Sequence, residues 1–264
     1  MIRIVALLWL LLVASAAPAT TVFDHGTWDR LLQAHVRVLE EGRASQVDYR
    51  GFMAQRTKLK EYLQKLTAVA VGEFDSWPKG EQLAFLLNAY NAWTVELILT
   101  RYPDLQSIKD LGSFLQSPWK KKFIPLLGEM RSLDDIEHGM IRGSGRYQEP
   151  RIHFAANCAS IGCPALRPEA FRGVDLDRQL EEATRLFLGD RLRNRLNGKV
   201  LEVSSLFKWY RDDFAGGRPS PSLAAFLAGY AQALGLSGKK GEALAAGEIP
   251  IEFLEYDWRL NDIR

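Results

Sequence analysis

The residue types best suited to chemistry are concentrated in one short segment, residues 151–166, which reads RIHFAANCASIGCPAL. It contains His153 and both cysteines of the chain, Cys158 and Cys163. A histidine close to a cysteine can serve as the base for a thiol nucleophile, and the same residue types also form disulfides and metal sites. Residues 151–166 are therefore the segment in which we predict a catalytic or ligand-binding site.

The first hypothesis is a thiol enzyme in which Cys158 attacks an amide or ester carbon. A free thiol has a pKa of about 8.5, so a neighbouring histidine must increase the fraction of thiolate. His153 or His138 would be the base, and Glu137 would orient the ring. The Asn-Cys dipeptide that follows the histidine is similar to the nucleophile region of circularly permuted papain-like enzymes. That resemblance implies a papain-like hydrolase or acyltransferase.

Two other hypotheses stay open. A disulfide between Cys158 and Cys163 requires that the loop between them turn back. With both thiols in the bond, the protein would be a noncatalytic binding module whose site loop is held by the disulfide. A metal site would use both cysteines with His153 and His138, which are ligand types that zinc prefers. The spacing of the cysteines is wider than in the usual zinc motif. We therefore expect no metal and no cofactor.

The first nineteen residues, MIRIVALLWLLLVASAAPA, have the pattern of a secretory signal peptide. Arg3 supplies the early positive charge, an apolar run follows, and small residues end the segment. The run is shorter than the roughly 20 apolar residues of a membrane-spanning helix, and no second run of this kind occurs. We expect residues 20–264 to be a soluble periplasmic or secreted protein without an integral membrane segment.

The hydrophobic content and the charge balance of the chain indicate which class of partner to expect. The chain is 47% hydrophobic, which is sufficient for a sizeable core. Its 34 basic and 32 acidic residues leave a net charge of +2, and no long block carries a single sign. A nucleic-acid partner is therefore not expected. The expected partner is an unidentified small molecule or peptide-like substrate.

A long helix over residues 81–102 is predicted to support the site. It is apolar around most of its circumference and should be buried. Asn88 and Asn91 lie one turn apart in its middle, where an unsatisfied amide would cost about 1–3 kcal/mol. Each amide should therefore either hold a neighbouring loop or orient a catalytic histidine. Tyr90, between them, should pack in the core with its hydroxyl group bonded.

A second helix, SLDDIEHGMIR, is predicted to begin at a Ser132 cap. Glu137 falls inside its apolar stripe, where a carboxylate is uncommon unless it has a partner. His138 projects about 100° away, so both side chains can border one cleft. Arg142, at the end of the helix, is a candidate to neutralise Glu137 or to bind an anionic group of a substrate.

Other elements are predicted around these two helices. A first helix should begin after a Thr27 cap and continue to residue 41, with His35 on its buried side. Residues 152–156 resemble a strand that leads into the cysteines, and residues 122–132 resemble a hairpin. Trp209, Tyr210 and Trp258 are interpreted as core or rim aromatics. Helices and strands do not alternate regularly, which favours a helix-rich α+β domain with a small antiparallel sheet.

Five ordered blocks of the chain resemble the family known as domain of unknown function 547. They cover most of residues 20–264, so the resemblance implies one domain of this family over that range. The family name itself records no activity. The blocks are FDHGTWDRLL with VDY, QLAFLLNAYNAWTVELIL with YP and SI, SLDDIEHGMIR, RIHFAANCASIGCPAL, and LFKWYRDDF.

Overall fold

The structure is a computed structural model that describes residues 22–113, 115–216 and 220–263; the predicted signal segment, residues 1–19, lies outside them. Helices dominate and the strands are short, which confirms the predicted α+β class. The helices are α1 (Gly26–His35), α2 (Tyr49–Ala54), α3 (Arg56–Ala68), α4 (Val71–Ser76), α5 (Lys79–Leu99), α6 (Leu176–Gly189), α7 (Leu206–Trp209), α8 (Arg211–Phe214), α9 (Leu223–Gly229) and α10 (Lys239–Ala245). The strands are β1 (Val36–Leu39), β2 (Ala44–Val47), β3 (Ile124–Leu126), β4 (Glu129–Arg131), β5 (Arg195–Asn197), β6 (Val200–Ser204) and β7 (Ile251–Leu254). A π-helix covers Asp135–Arg142, and a 3-10 helix covers Pro150–Phe154.

The strands form three small sheets. β1 pairs with β2 and β3 pairs with β4, both antiparallel. The third sheet has the order β5-β6-β7, in which β6 and β7 run parallel. The β3-β4 hairpin was predicted, and its two turn residues, Leu127 and Gly128, both have positive φ angles of 50° and 77°. That combination is typical of a two-residue turn whose twist matches antiparallel strands.

The long predicted helix is confirmed as α5, which has 21 residues. Its apolar side chains lie on every side of the helix, and nearly all of them are buried. Pro78 precedes the first turn, where a missing N–H has no cost. Among the described residues, no helix combines the length and apolar character needed to cross a membrane.

The core consists of two apolar clusters. The larger one surrounds α5 and includes side chains from α1, α2, α3 and the π-helix. The smaller one is rich in phenylalanine and lies between α6, β6 and the helices α7 to α9. The 3-10 helix contributes to both, because Ile152 belongs to the larger cluster and Phe154 to the smaller. His153 therefore lies where the two clusters meet.

The first helix differs from its prediction. It begins at Gly26, whose N–H is accepted by the Asp24 carboxylate at 2.8 Å, so Thr27 lies inside the helix and is not its cap. It ends at His35, which is buried as predicted. The following residues, Val36–Leu39, form a strand because they pair with β2 along their whole length. The spacing of the apolar residues in this segment is compatible with a continued helix and with a strand. The pairing with β2 favours the strand.

The predicted strand over residues 152–156 is wrong. The chain there forms the 3-10 helix, which has Pro150 in its first turn and Glu149 at its cap. The Glu149 carboxylate accepts the backbone N–H of Arg151 at 3.1 Å. Ile152 and Phe154 pack into two different clusters. In a strand, side chains two positions apart point to the same face, whereas the 3-10 helix directs them to different sides.

Candidate functional site

A cavity of about 180 Å³ lies where the π-helix, α5 and residues 157–164 meet. We call the cavity the cleft and residues 157–164 the cysteine loop. The structure brings six of the predicted site residues together on its wall: Cys158, Cys163, His153, His138, Glu137 and Tyr90. Further side chains complete the wall, chiefly Trp119, Asp134, Trp209, Tyr210, Tyr256 and Trp258.

The helix that begins at Ser132 presents Glu137 and His138 to the cleft. Ser132 and Asp135 bond reciprocally: the serine Oγ accepts the Asp135 N–H at 3.0 Å, and the carboxylate accepts the Ser132 N–H at 2.8 Å. The predicted cap is thereby confirmed, and these bonds lower the pKa of Asp135. At the other end, the Gly143 N–H donates to the His138 carbonyl at 2.8 Å. This five-residue spacing is that of a π-helix, which occurs frequently at functional sites.

Glu137 is a buried carboxylate, with only 6% of the residue exposed. Burial raises the pKa of Tyr90 and of Tyr210, and a hydrogen bond from each hydroxyl to Glu137 raises it further. The nearest basic atom is Nδ1 of His153, 3.8 Å from the Glu137 carboxylate. Within the described part of the chain, no lysine or arginine forms an ion pair with Glu137. The carboxylate therefore receives hydroxyl donors, and the one arginine whose pKa its charge raises, Arg142, is not within ion-pair distance among the described residues.

His153 is held from the side opposite Glu137. Its Nε2 lies 2.6 Å from Oδ2 of Asp213, and the imidazole stacks on the Tyr210 ring with a centroid distance of 3.7 Å. Because a carboxylate only accepts, Nε2 carries the proton, and the unprotonated Nδ1 lies 3.8 Å from the Glu137 carboxylate without a hydrogen bond between them. Arg142 completes the arrangement: its Nε and Nη2 donate to Asp213 at 2.5 and 3.1 Å.

The surroundings shift the pKa values of His153 and Asp213 in the same direction. Burial lowers the pKa of His153, although the hydrogen bond with Asp213 opposes this effect. Burial alone would raise the pKa of Asp213, but hydrogen bonds from His153 and Arg142 hold it well below its usual range. The resting state is therefore a neutral imidazole next to an ionised Asp213 that is paired with a guanidinium.

His138 lies at the outer edge of the cleft and is 40% exposed. Its Nδ1 accepts from Nη1 of Arg142 at 2.7 Å, and its Nε2 lies 3.8 Å from Asp134. Burial raises the pKa of Asp134, and the charge of His138 opposes this. Arg142 thus uses all three guanidinium nitrogens on His138 and Asp213. The charge of Glu137 also raises the pKa of Arg142, so the two groups interact electrostatically although they form no ion pair within 4 Å.

Asn88 and Asn91 hold two loops. The amide of Asn88 donates to the Phe171 carbonyl at 2.8 Å and accepts the Phe171 N–H at 3.0 Å. The amide of Asn91 donates to the Ala155 carbonyl at 3.0 Å and accepts the Asn157 N–H at 2.8 Å. Both asparagines are buried and satisfied, as predicted, and their partners are backbone groups, not the histidine rings. Asn91 therefore positions the start of the cysteine loop.

Cys158 and Cys163 form a disulfide. Within the described residues neither cysteine is free, so the thiol-enzyme hypothesis requires prior reduction of the bond. A helix N-terminus is one of the surroundings that lower the pKa of a thiol. Cys158 lies in an irregular loop and has no such surroundings. The structure thus supports the predicted disulfide and provides no resting thiolate.

Four aromatic side chains, Trp119, Trp209, Tyr256 and Trp258, form one side of the cleft; we call them the aromatic wall. Trp258 is at its centre, with ring centroids 4.5 Å from Tyr256, 5.5 Å from Trp209 and 5.6 Å from Trp119. The ammonium of Lys109 lies 3.8 Å from the centroid of the Trp258 ring. These residues were interpreted from the sequence as ordinary core or rim aromatics, or were not singled out at all.

Asp213 and Tyr256 are the main site residues that the sequence analysis missed. Asp213 is 60 residues from His153 in the chain, and Tyr256 is 93 residues from Cys163. One signal was present for Asp213, since the recognised block LFKWYRDDF contains it together with Tyr210. Nothing comparable marked Tyr256.

No group of three or more histidine, cysteine, aspartate or glutamate side chains is arranged to hold a metal ion in residues 22–113, 115–216 and 220–263. The four ligands of the zinc hypothesis include both cysteines, whose sulfurs are bonded to each other. Zinc binds cysteine as the thiolate, so this ligand set is not present in the oxidised protein.

Comparison with known proteins finds a family match and gives no close structural precedent. No curated protein matches the chain, and no solved structure matches it. A family model matches residues 74–188, which contain α5, the π-helix and the cysteine loop, and its description is "Protein of unknown function, DUF547". The match supports membership of the DUF547 family over residues 74–188.

Proposed function

We propose that the cleft binds a small organic cation, an amine or quaternary ammonium compound, and that no cysteine attacks this ligand. The observation that carries this proposal is the buried Glu137 carboxylate, which faces the cavity and has no lysine or arginine within ion-pair distance among the described residues. A buried charge without a close countercharge is costly. A cationic ligand would supply the missing charge.

The charges around the cavity favour a cation over an anion. Asp134 and Glu137 line it, and none of the lysines and arginines in the described part of the chain does. Arg142 is close, but its guanidinium is already bonded to Asp213 and His138. The lowered pKa of His153 keeps this imidazole neutral near pH 7. The interior of the cleft is therefore an acidic site.

The aromatic wall supports the same choice of ligand. The faces of tryptophan and tyrosine rings attract cations, and sites for quaternary ammonium groups use several such rings. The Lys109 ammonium already lies over the face of Trp258, which shows that a cation can occupy that ring. Trp209 is 47% exposed, and Tyr210 also lines the cavity. A trimethylammonium group would contact the rings while Glu137 supplies the negative charge.

The test uses choline and its neutral isostere 3,3-dimethyl-1-butanol, with tryptophan fluorescence as the readout. Choline should change the fluorescence in a saturable manner, whereas the neutral alcohol of the same shape should not. Glu137→Gln should weaken choline binding at least about tenfold, or about 1.4 kcal/mol. Glu73→Gln, at an exposed position on α4, is the matched control and should bind as the wild type does. Equal binding of the two compounds, or none of either, would disprove the proposal.

A second candidate is the thiol hydrolase or acyltransferase of the sequence hypothesis. It is favoured by the presence of Cys158, His153 and His138 on the wall of one cleft. It needs a free Cys158, so alkylation of the native protein with a mass-labelled reagent separates the candidates. We expect no labelled cysteine before reduction. Rapid labelling of Cys158 at neutral pH would favour the enzyme and count against the binding proposal.

Export to the periplasm or the cell exterior belongs to the proposal as well. The disulfide is consistent with an oxidising compartment, where such bonds persist. Fractionation of cells that express the full chain tests this point directly. Recovery of the protein in the cytoplasmic fraction, with residues 1–19 still attached, would contradict export.

A further inference from the structure

We infer that the Cys158–Cys163 disulfide is redox-active and is reduced by a dithiol that enters the cleft, with Cys158 as the attacked sulfur and Cys163 as the leaving sulfur. This activity is independent of cation binding and rests on the surroundings of the two sulfurs. Both cysteines line the cleft, so the bond is not enclosed in the core.

The two sulfurs differ in exposure. Cys163 is buried, with 2% of the residue exposed, whereas Cys158 is partly exposed to the cleft. Thiol–disulfide exchange requires that the attacking thiolate approach one sulfur along the bond axis. Only Cys158 offers that approach, so the mixed disulfide should form there.

The buried sulfur is the one prepared to leave. Sγ of Cys163 accepts a hydrogen bond from the Cys158 N–H at 3.0 Å and another from the Tyr256 hydroxyl at 3.1 Å. The same hydroxyl lies 3.3 Å from the Cys158 sulfur. Burial raises the pKa of Tyr256 far above its usual value, so the hydroxyl remains a donor at neutral pH. Donors at this position stabilise a thiolate that develops on Cys163, which makes it the better leaving group.

Gly162 allows Tyr256 to reach the sulfurs. A Cβ atom at this position would lie 2.9 Å from the Tyr256 ring, which is closer than real contacts of this kind. The Gly162 N–H is bonded to the Asp257 carbonyl at 2.9 Å, so the loop and the chain next to Tyr256 are joined by the backbone. The hydroxyl is thus held against the disulfide by packing on both sides.

The cysteine loop is also held by hydrogen bonds that do not involve the sulfurs. The Asn157 amide donates to the Pro164 carbonyl at 2.8 Å and so connects the two ends of the loop. The N–H of Ile161 donates to the Arg259 carbonyl at 2.8 Å, and the N–H of Asn261 donates to the Ala159 carbonyl at 3.2 Å. A loop held in this way keeps its shape after reduction, as a disulfide that cycles requires.

A dithiol reduces the disulfide in two exchange steps. A substrate thiolate attacks Sγ of Cys158, the Cys158–Cys163 bond breaks, and Cys163 leaves as a thiolate. The second thiolate of the substrate then attacks its own sulfur in the mixed disulfide and expels Cys158. The dithiol loses two electrons and becomes a disulfide, the two cysteines gain these electrons, and the two protons of the dithiol pass to the two cysteines.

The site of attack can be read directly. The oxidised full chain is mixed with 2-mercaptoethanol, and the free thiols are then alkylated with iodoacetamide. Trypsin releases both cysteines in one peptide, cut after Arg151 and after Arg172, and its fragmentation locates each modification. We expect mercaptoethanol on Cys158 and the alkyl group on Cys163. The opposite pattern, or reaction only in denaturant, would overturn the inference.

The role of the hydroxyl is tested by the rate of reduction with dithiothreitol. Tyr256→Phe should slow reduction at least about fivefold, because the departing Cys163 thiolate loses a donor. Tyr230→Phe removes a hydroxyl that is bonded to Glu181 instead, and it should reduce at the wild-type rate. The reduced wild type should also retain its near-ultraviolet circular dichroism. Equal rates for the two variants, or loss of that signal on reduction, would show that the bond is only structural.

Discussion

Asp213 is the residue on which the ionic part of the site depends. It accepts hydrogen bonds from His153 and Arg142, and its lowered pKa is the thermodynamic consequence. A carboxyl group whose pKa is lower in the folded state stabilises the protein above its unfolded pKa, and this contribution is lost as the pH falls through the folded value. Its charge should therefore stabilise the protein at pH 7.

Asp213→Asn should lower the free energy of unfolding at pH 7 by about 2–3 kcal/mol, because Arg142 loses an ionised partner in a partly buried site. Urea denaturation measures the change. Asp212→Asn is the matched control, since this neighbour is exposed, and it should move stability by less than about 0.5 kcal/mol. The difference between the variants should shrink below pH 4. Equal stability of the two at pH 7 would contradict this assignment.

His25 should make the protein sensitive to acid. Burial lowers its pKa from 6.5 to about 3, although the charge of Asp24 opposes the effect. The unfolded chain binds the proton below about pH 6.5 and the folded protein does not, so stability is full above that pH and falls as the pH is lowered toward 3. The loss by pH 3 is on the order of 4 kcal/mol. Nuclear magnetic resonance titration of the imidazole provides the measurement. A His25 signal that titrates near pH 6.5 in the folded protein would contradict it.

At the scale of elements, α5 connects the core to the site through Asn91. Its amide holds the residues on either side of Ala156, which start the cysteine loop. Asn88, one turn earlier, makes an equivalent pair of hydrogen bonds to Phe171, away from the cleft. The two residues share type, helix and burial, so they form a matched pair.

Asn91→Ala and Asn88→Ala should each destabilise the protein by about 2–4 kcal/mol, since each leaves two buried backbone groups without a partner. Only Asn91→Ala should weaken the binding of choline, because only this change releases the cysteine loop. Chemical denaturation and the fluorescence titration measure the two effects. If both variants bound choline equally well, Asn91 would have no special role in positioning the site.

At the scale of the whole molecule, the segment with His153 joins the two apolar clusters. Phe154 is fully buried in the smaller cluster and Ile152 is buried in the larger one. Because residues only two positions apart anchor the two clusters, we expect the described part of the chain to unfold as one cooperative unit.

Phe154→Ala should reduce the free energy of unfolding by about 3–5 kcal/mol, since it opens a cavity among the rings of Phe187, Phe207 and Phe214. The transition should remain single. Urea denaturation followed by far-ultraviolet circular dichroism and by fluorescence should yield one midpoint. Two separate midpoints in the wild type would show that the clusters unfold independently.

The elements that were predicted correctly are those whose signals are local. The apolar circumference of α5, the Leu127-Gly128 turn and the Ser132 cap depend on residues within a few positions of one another. The strand predicted over residues 152–156 failed because its apolar residues serve two clusters, which no local pattern expresses. The end of α1 failed for a similar reason, since pairing with β2 competes with the helix.

By itself, the sequence determined which residue types had to be satisfied: two amides inside an apolar helix, a glutamate on an apolar stripe, and two cysteines in a loop next to a histidine. Tertiary structure decided what satisfies them. Asp213 reaches His153 across 60 residues and Tyr256 reaches Cys158 across 98. Such contacts arise from the packing of whole elements, so only the folded chain turns an isolated histidine and a cysteine pair into an acidic, aromatic cleft.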